Sequence, residues 1–192
     1  TGALNDVRSV YLGPADLIDY GGPLAVDDGT HLIDNLMILP EAVDNRGRAG
    51  LNGLLAKFFG HQLGAPGLSN FADGLPGVGG WSLMDVGANR IGFILHGDEL
   101  DYMLGTVPPH PLSWTKARLG WIEPTTIRSD TTVTILAGDR APSAGSAVTR
   151  VVRVPLSPTE SIWLENRQQR ARTEFDLPAG VVVPFAGLEL GW

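Results

Sequence analysis

No cysteine occurs in the 192 residues, so thiol catalysis, iron–sulfur clusters and cysteine-based zinc sites are excluded. Positive charge is scarce as well: 14 Lys and Arg stand against 21 Asp and Glu, a formal charge of −7. A surface of that sign repels phosphate backbones, and the longest basic cluster, Arg167 to Arg172, is too short to reverse it. No nucleic-acid partner is therefore expected. No stretch approaches the roughly 20 apolar residues that cross a bilayer, so no transmembrane segment is expected and membrane association would come only through a partner. Residues 1–30 lack a basic start followed by a continuous apolar run, and no signal peptide is expected in them. What the chain does have is 25 Gly and 14 Pro, enough to predict many turns in a compact, loop-rich fold.

His31 to Leu39 is mostly apolar and stops at Pro40, which predicts a buried core strand. From Arg48 to Leu63 the residues Leu51, Leu54, Leu55, Phe58, Phe59 and Leu63 recur at helical spacing, and Gly64 with Pro66 predicts the stop. Gly53 and Gly60 inside that helix each cost about 1 kcal/mol relative to Ala, which predicts close packing against their face. Ser69 to Gly80 reads as loop, and Leu112 to Leu119 as a second helix ended by Gly120. Beyond Pro124 the texture becomes β-branched, predicting strands at Thr131–Leu136, Val148–Val154, Ser161–Glu165 and Val181–Val183. Two regions follow: a core over residues 1–123 and a β-rich subdomain over 124–192.

The helix ends in Lys57-Phe58-Phe59-Gly60-His61-Gln62-Leu63-Gly64-Ala65-Pro66-Gly67, and Trp81-Ser82-Leu83-Met84 follows some twenty residues later. Zinc peptidases of the metzincin type use H-E-x-x-H-x-x-G-x-x-H/D, with two histidines one helical turn apart on the metal, a glutamate on its water and a methionine turn below. These segments resemble the immune inhibitor A family of secreted bacterial metallopeptidases, whose motifs read like H-E-F-G-H-x-L-G-x-P-D and W-S-L-M. The likeness continues through Pro111 to Trp121, Trp163 to Gln168 and Phe175 to Gly180. It implies an α+β fold with a zincin-like core, a mixed sheet and a central helix, a small β-rich subdomain behind it, and an extracytoplasmic location.

In the family pattern Gly64 is the turn glycine and Met84 the turn methionine, but Lys57 stands at the first zinc histidine, Phe58 at the glutamate and Gly67 at the third ligand. Only His61 remains. A protonated lysine has no lone pair for zinc, phenylalanine accepts no proton and glycine has no side chain, so no metal, cofactor or catalytic residue is expected. Lys57 either places its charge where the metal would stand, beside Asp85, or points to solvent; Phe58 would fill the water site. The expected role is that of an inactive peptidase homologue, a structural or protein-binding subunit with a protein partner. The alternatives are a residual zinc peptidase or other hydrolase with a rearranged site, and a module that binds peptides without cutting them.

Other candidates have plainer readings. His96, Asp98, Glu99 and Asp101 fit a solvated acidic turn, Val26 to Gly29 and Ser69 to Gly74 fit turn chemistry better than a calcium loop, and Gly77 to Gly80 reads as a flexible connection. Trp81, Trp114, Trp121 and Trp163 are expected to be buried. The apolar carboxyl end, with Val183, Phe185, Leu188, Leu190 and Trp192, reads as a docked strand or a contact to a partner.

Overall fold

The computed structural model describes residues 9–40, 51–70, 72–96, 99–138, 148–167 and 181–182. These residues form two compact units, one running to His110 and including the residues at 181–182, the other beginning at Pro111. The first unit opens with β1 (Val10–Leu12) and α1 (Pro14–Ile18). Pro14 suits the first turn of α1 because its missing N–H would have no helical partner, and the Gly13 N–H donates to the Asp16 carboxylate at 2.8 Å. The hairpin β2 (Leu24–Val26) and β3 (His31–Ile33) follows, then β4 (Leu36–Ile38), which returns antiparallel to β1.

The single core strand expected over 31–39 is therefore two strands in two different sheets, broken at Asp34-Asn35. Local pairing decides this. A turn through Asp27 and Asp28, both with positive φ, folds β3 straight back on β2. Asn35 meanwhile hydrogen-bonds Asp34 at 2.8 Å and accepts from Gln62 at 3.0 Å. The residues of β2 and β3 are exposed rather than buried.

The predicted helix is α2 (Asn52–Gln62); the preceding Arg48, Ala49 and Gly50 lie outside the described residues. Its buried residues are Gly53, Phe58 and Gly60, while Leu55 and Phe59 stay about half exposed, so the small residues and not the leucine ridge face the interior. This agrees with the close packing expected at both glycines. Two short 3-10 turns, Gly79–Trp81 and Val86–Asn89, precede β5 (Gly92–His96) and β6 (Glu99–Met103), an antiparallel pair. The core of this unit gathers Leu17, Phe58, Ala65, Leu83, Met84 and Ala88. Burying Met84 alone contributes about 2 kcal/mol.

The second unit starts with α3 (Ser113–Arg118), close to its predicted span and closed by Gly120 at φ +74. β7 (Thr125–Thr126), β8 (Val151–Pro155) and β9 (Ser161–Glu165) form one sheet, parallel between β7 and β8 and antiparallel between β8 and β9. Thr131–Leu136 is not a strand; it contributes one isolated parallel bridge, Ile135 to Thr149. The geometric division at Pro111 precedes the change of texture at Pro124 because α3 packs on β9. Val151, Val152 and Ala137 form the buried centre. β10 (Val181–Val182) pairs antiparallel with β5 and so belongs to the first unit.

The fold is thus α+β, built on four sheets of two or three strands among the described residues. No helix among those residues is long and apolar enough to cross a membrane. The four tryptophans expected to be buried are not: Trp81 and Trp121 are about half exposed. Trp114 and Trp163 are partly covered, each with a guanidinium over its ring, Arg118 at 5.7 Å and Arg153 at 6.0 Å. Val183, Phe185, Leu188, Leu190 and Trp192 lie outside the described residues, as does Asp98.

Candidate functional site

The carboxyl half of α2 brings Lys57 and His61 to one side, one turn apart. The Lys57 ammonium donates to the main-chain carbonyl of Asp85 at 3.1 Å. Its pKa is lowered, chiefly by burial, with the Asp85 charge opposing. Lys57 is thus half-buried against Asp85, on its carbonyl rather than its carboxylate.

His61 Nδ1 lies 3.0 Å from the Ala65 carbonyl, an atom that only accepts, so Nδ1 carries the proton in this bond and Nε2 of the neutral ring keeps its lone pair. The Tyr11 ring stacks on the imidazole, with centroids 5.7 Å apart and planes 21° from parallel. Burial is the main cause that lowers the His61 pKa; the Ala65 bond raises it and the Lys57 charge lowers it further. The Tyr11 phenol is pushed up by burial first, then by Asp34 and Asp16.

The turn after α2 follows from Gly64. Its φ of +93 lets its N–H reach the His61 carbonyl at 2.9 Å, while the Ala65 N–H reaches the Gly60 carbonyl at 2.9 Å. Those two bonds place the Ala65 carbonyl under the imidazole. Phe58 points into the core, and Met84, fully buried, sits against the bare Cα of Gly60. Gly67, two residues further along, is partly covered and adds no ligating atom.

Asp85 is fully buried, and its carboxylate is taken up by the preceding loop. Oδ1 accepts from Ser69 Oγ at 2.7 Å, and Oδ2 accepts from the Val78 and Gly79 N–H groups, each at 2.8 Å. Burial alone would raise its pKa; the bonds from Val78, Ser69, Gly79 and Val86 outweigh burial and leave it below the usual carboxylate range. Sequence reasoning missed this clasp. Gly77 to Gly80 read as a plain connection, yet two N–H groups of this stretch anchor on one carboxylate. The available signal was an aspartate directly after Met84 with a glycine-rich stretch, Gly77 to Gly80, five to eight positions earlier.

Of the remaining candidates, His96, Glu99 and Asp101, expected in a solvated acidic turn, lie instead on β5 and β6, because those two strands pair antiparallel up to His96 and Glu99. Asn70 and Asp73 spend their side-chain oxygens on the N–H groups of Ala72 and Leu75, at 3.0 and 2.9 Å. In the second unit, a cleft of about 110 Å³ is lined by Leu112, Ser113, Trp114, Trp163, Leu164 and Glu165. Its one carboxylate is committed: Glu165 accepts from the Ser113 N–H and hydroxyl and pairs with Arg167 at 2.9 Å.

The residues at the motif do not fit a zinc ion. Among the described residues no group of three or more His, Asp and Glu is placed to hold a metal. No protein-family model, curated protein or solved structure matches the chain.

Proposed function

We propose that the chain is a catalytically inactive metallopeptidase homologue with a zincin-like core, serving outside the cytoplasm as a structural or protein-binding subunit. The observation that carries this reading is Lys57. At the position where the motif requires the first metal ligand stands an ammonium held on the Asp85 carbonyl, leaving His61 as the one imidazole of the motif. Phe58, in the place of the water-activating glutamate, is packed in the core and accepts no proton.

A peptidase assay with added zinc, on the wild type and His61→Ala, tests the inactive half of the proposal. Neither form is expected to cleave; zinc-dependent cleavage that disappears in His61→Ala would overturn it. Gentle isolation from the native source tests the other half, where a stoichiometric assembly is expected and a solitary monomer would remove its support.

Peptide binding without cleavage is the second reading, and the Lys57–His61 pair favours it. Lys57 has spent one of its N–H donors on Asp85, and the neutral imidazole offers an acceptor at Nε2. A backbone peptide group, with its carbonyl and its N–H, matches that donor and acceptor. Titration with unstructured peptides, weakened by His61→Ala, checks it.

A further inference from the structure

The cleft of the second unit is built from that unit's own residues. Leu112, Ser113 and Trp114 come from the entry of α3, and Trp163, Leu164 and Glu165 from the end of β9. Glu165 joins the two pieces: its carboxylate accepts from the Ser113 N–H and hydroxyl, and Arg167 Nε donates to its other oxygen at 2.9 Å. Arg167 also donates to the Pro111 carbonyl at 2.9 Å. The entry of α3 is thereby fastened to the strand. Trp163 and Glu165, two residues apart, project to the same side of β9.

The cleft has donors to spare. The indole N–H groups of Trp114 and Trp163 have no hydrogen-bond partner among the described residues, and both side chains are partly exposed. An indole N–H only donates. Glu165, the carboxylate of the cleft, already accepts three bonds.

That inventory decides among ligands. A cation caged by the two rings is disfavoured, because guanidinium groups already lie over them, Arg118 at 5.7 Å from Trp114 and Arg153 at 6.0 Å from Trp163. A sugar brings hydroxyl donors that need acceptors, and the carboxylate is spent. Size narrows the choice further: the cleft measures about 110 Å³, less than the roughly 150 Å³ of a cavity that holds benzene. Proline meets each condition. Its ring is apolar and five-membered, it has no main-chain N–H, and the carbonyl before it accepts a hydrogen bond.

We propose that this cleft takes a proline from an extended, polyproline II segment of a protein partner, with the ring against Trp114 and Trp163 and their N–H groups donating to the neighbouring carbonyls. One small ring gains too little to bind firmly alone, so the segment extends past the cleft. The polyproline II helix suits this, since its carbonyls are open and its backbone is ordered before binding. The inference rests on the protein-binding reading and names the chemistry of the segment bound.

The test follows the indole N–H signals of the full chain, labelled with nitrogen-15, during titration with a blocked decaproline peptide. The Trp114 and Trp163 signals should move saturably and that of Trp121 should stay. Trp114→Phe and Trp163→Phe assign the signals; each keeps a ring, loses one donor and should weaken binding about fivefold. An unchanged Trp121 signal shows that a variant keeps its fold, and the wild-type titration decides without them. A blocked Gly-Ser decapeptide, choline and cellobiose serve as controls and should move neither signal.

No movement at about 5 mM decaproline, well above a Kd of about 1 mM, overturns the proposal. Equal movement with the Gly-Ser peptide overturns it too, as does movement with choline or cellobiose in place of decaproline. If decaproline fails while the chain is recovered from its source in a stoichiometric assembly, this site alone falls. A solitary monomer from the source removes the protein-binding reading on which it rests.

Discussion

Gly53 and Gly60 mark where α2 meets the interior of its unit, and the atoms opposite them differ in kind. A methyl at Gly53 would stand 1.7 Å from the Ala88 carbonyl oxygen, which is backbone; one at Gly60 would stand 2.8 Å from Met84 Sδ, which can swing aside. Helix propensity alone would favour alanine at either place by about 1 kcal/mol. Packing reverses that at Gly53, where Gly53→Ala should cost about 3 kcal/mol or more, and nearly cancels it at Gly60, where Gly60→Ala should lie within about 1.5 kcal/mol of wild type. Urea unfolding of the two variants checks the order. Asp85 gives a second prediction at this scale. Asp85→Ala strands the Val78 and Gly79 N–H groups and should cost about 3 kcal/mol, whereas Asp85→Asn keeps one acceptor and should cost less. The acid dependence has two stages. The folded His61 pKa is depressed, so the native state binds fewer protons than the unfolded chain; its contribution is complete above about pH 6.5 and is lost as pH falls through the folded value. Asp85 repeats the pattern lower down, complete above about pH 4 and lost below it. Unfolding midpoints across pH should show the upper stage flattened in His61→Gln and the lower one in Asp85→Asn.

α3 tests what ends a helix. Gly120 closes it at φ +74 with nothing within 4 Å of an added Cβ, so Gly120→Ala meets only backbone strain and should cost about 1–2 kcal/mol, read as a drop in unfolding midpoint. That helix was legible in the residues because its stop is a glycine. α2 was legible for the same reason at Gly64, and β9 because Ser161–Glu165 is a β-branched and aromatic run between turn residues. The His31–Leu39 stretch was not, since whether an apolar run stays one strand depends on which partners it finds. Here Leu24–Val26, a few residues upstream, captured its first half. The apolar spacing of α2 placed the helix and its two glycines marked the face that packs, while Leu55, Phe59 and Leu63 of the apolar set stay about half exposed. At the candidate site, the positions of Lys57, Phe58, His61 and Gly67 in the motif were readable, while the residues left open whether Lys57 lies beside Asp85 or in solvent. The use of the Asp85 carboxylate was not readable, for its donors at Val78 and Gly79 are main-chain groups that leave no mark in side-chain pattern.

At the scale of the whole molecule, the chain leaves the first unit after His110 and comes back to it at Val181. Residues 111–176 of the second unit therefore stand between two parts of the first. A chain cut after Gly180 lacks β10 and should show faster amide hydrogen exchange across Gly92–His96, although that strand lies far away in sequence. Unchanged exchange there would mean that β5 does not depend on the β10 pairing. The same return has a consequence for synthesis. Val181 pairs with Ile94, so the β5–β10 edge cannot close until everything between them, residues 111–176 included, has left the ribosome. Until then β5 holds an open edge in a crowded medium, while residues 111–176 of the second unit have already emerged. A chaperone that shields this one strand would act late, and a ribosome stalled within residues 111–176 would hold a first unit still missing its returning strand.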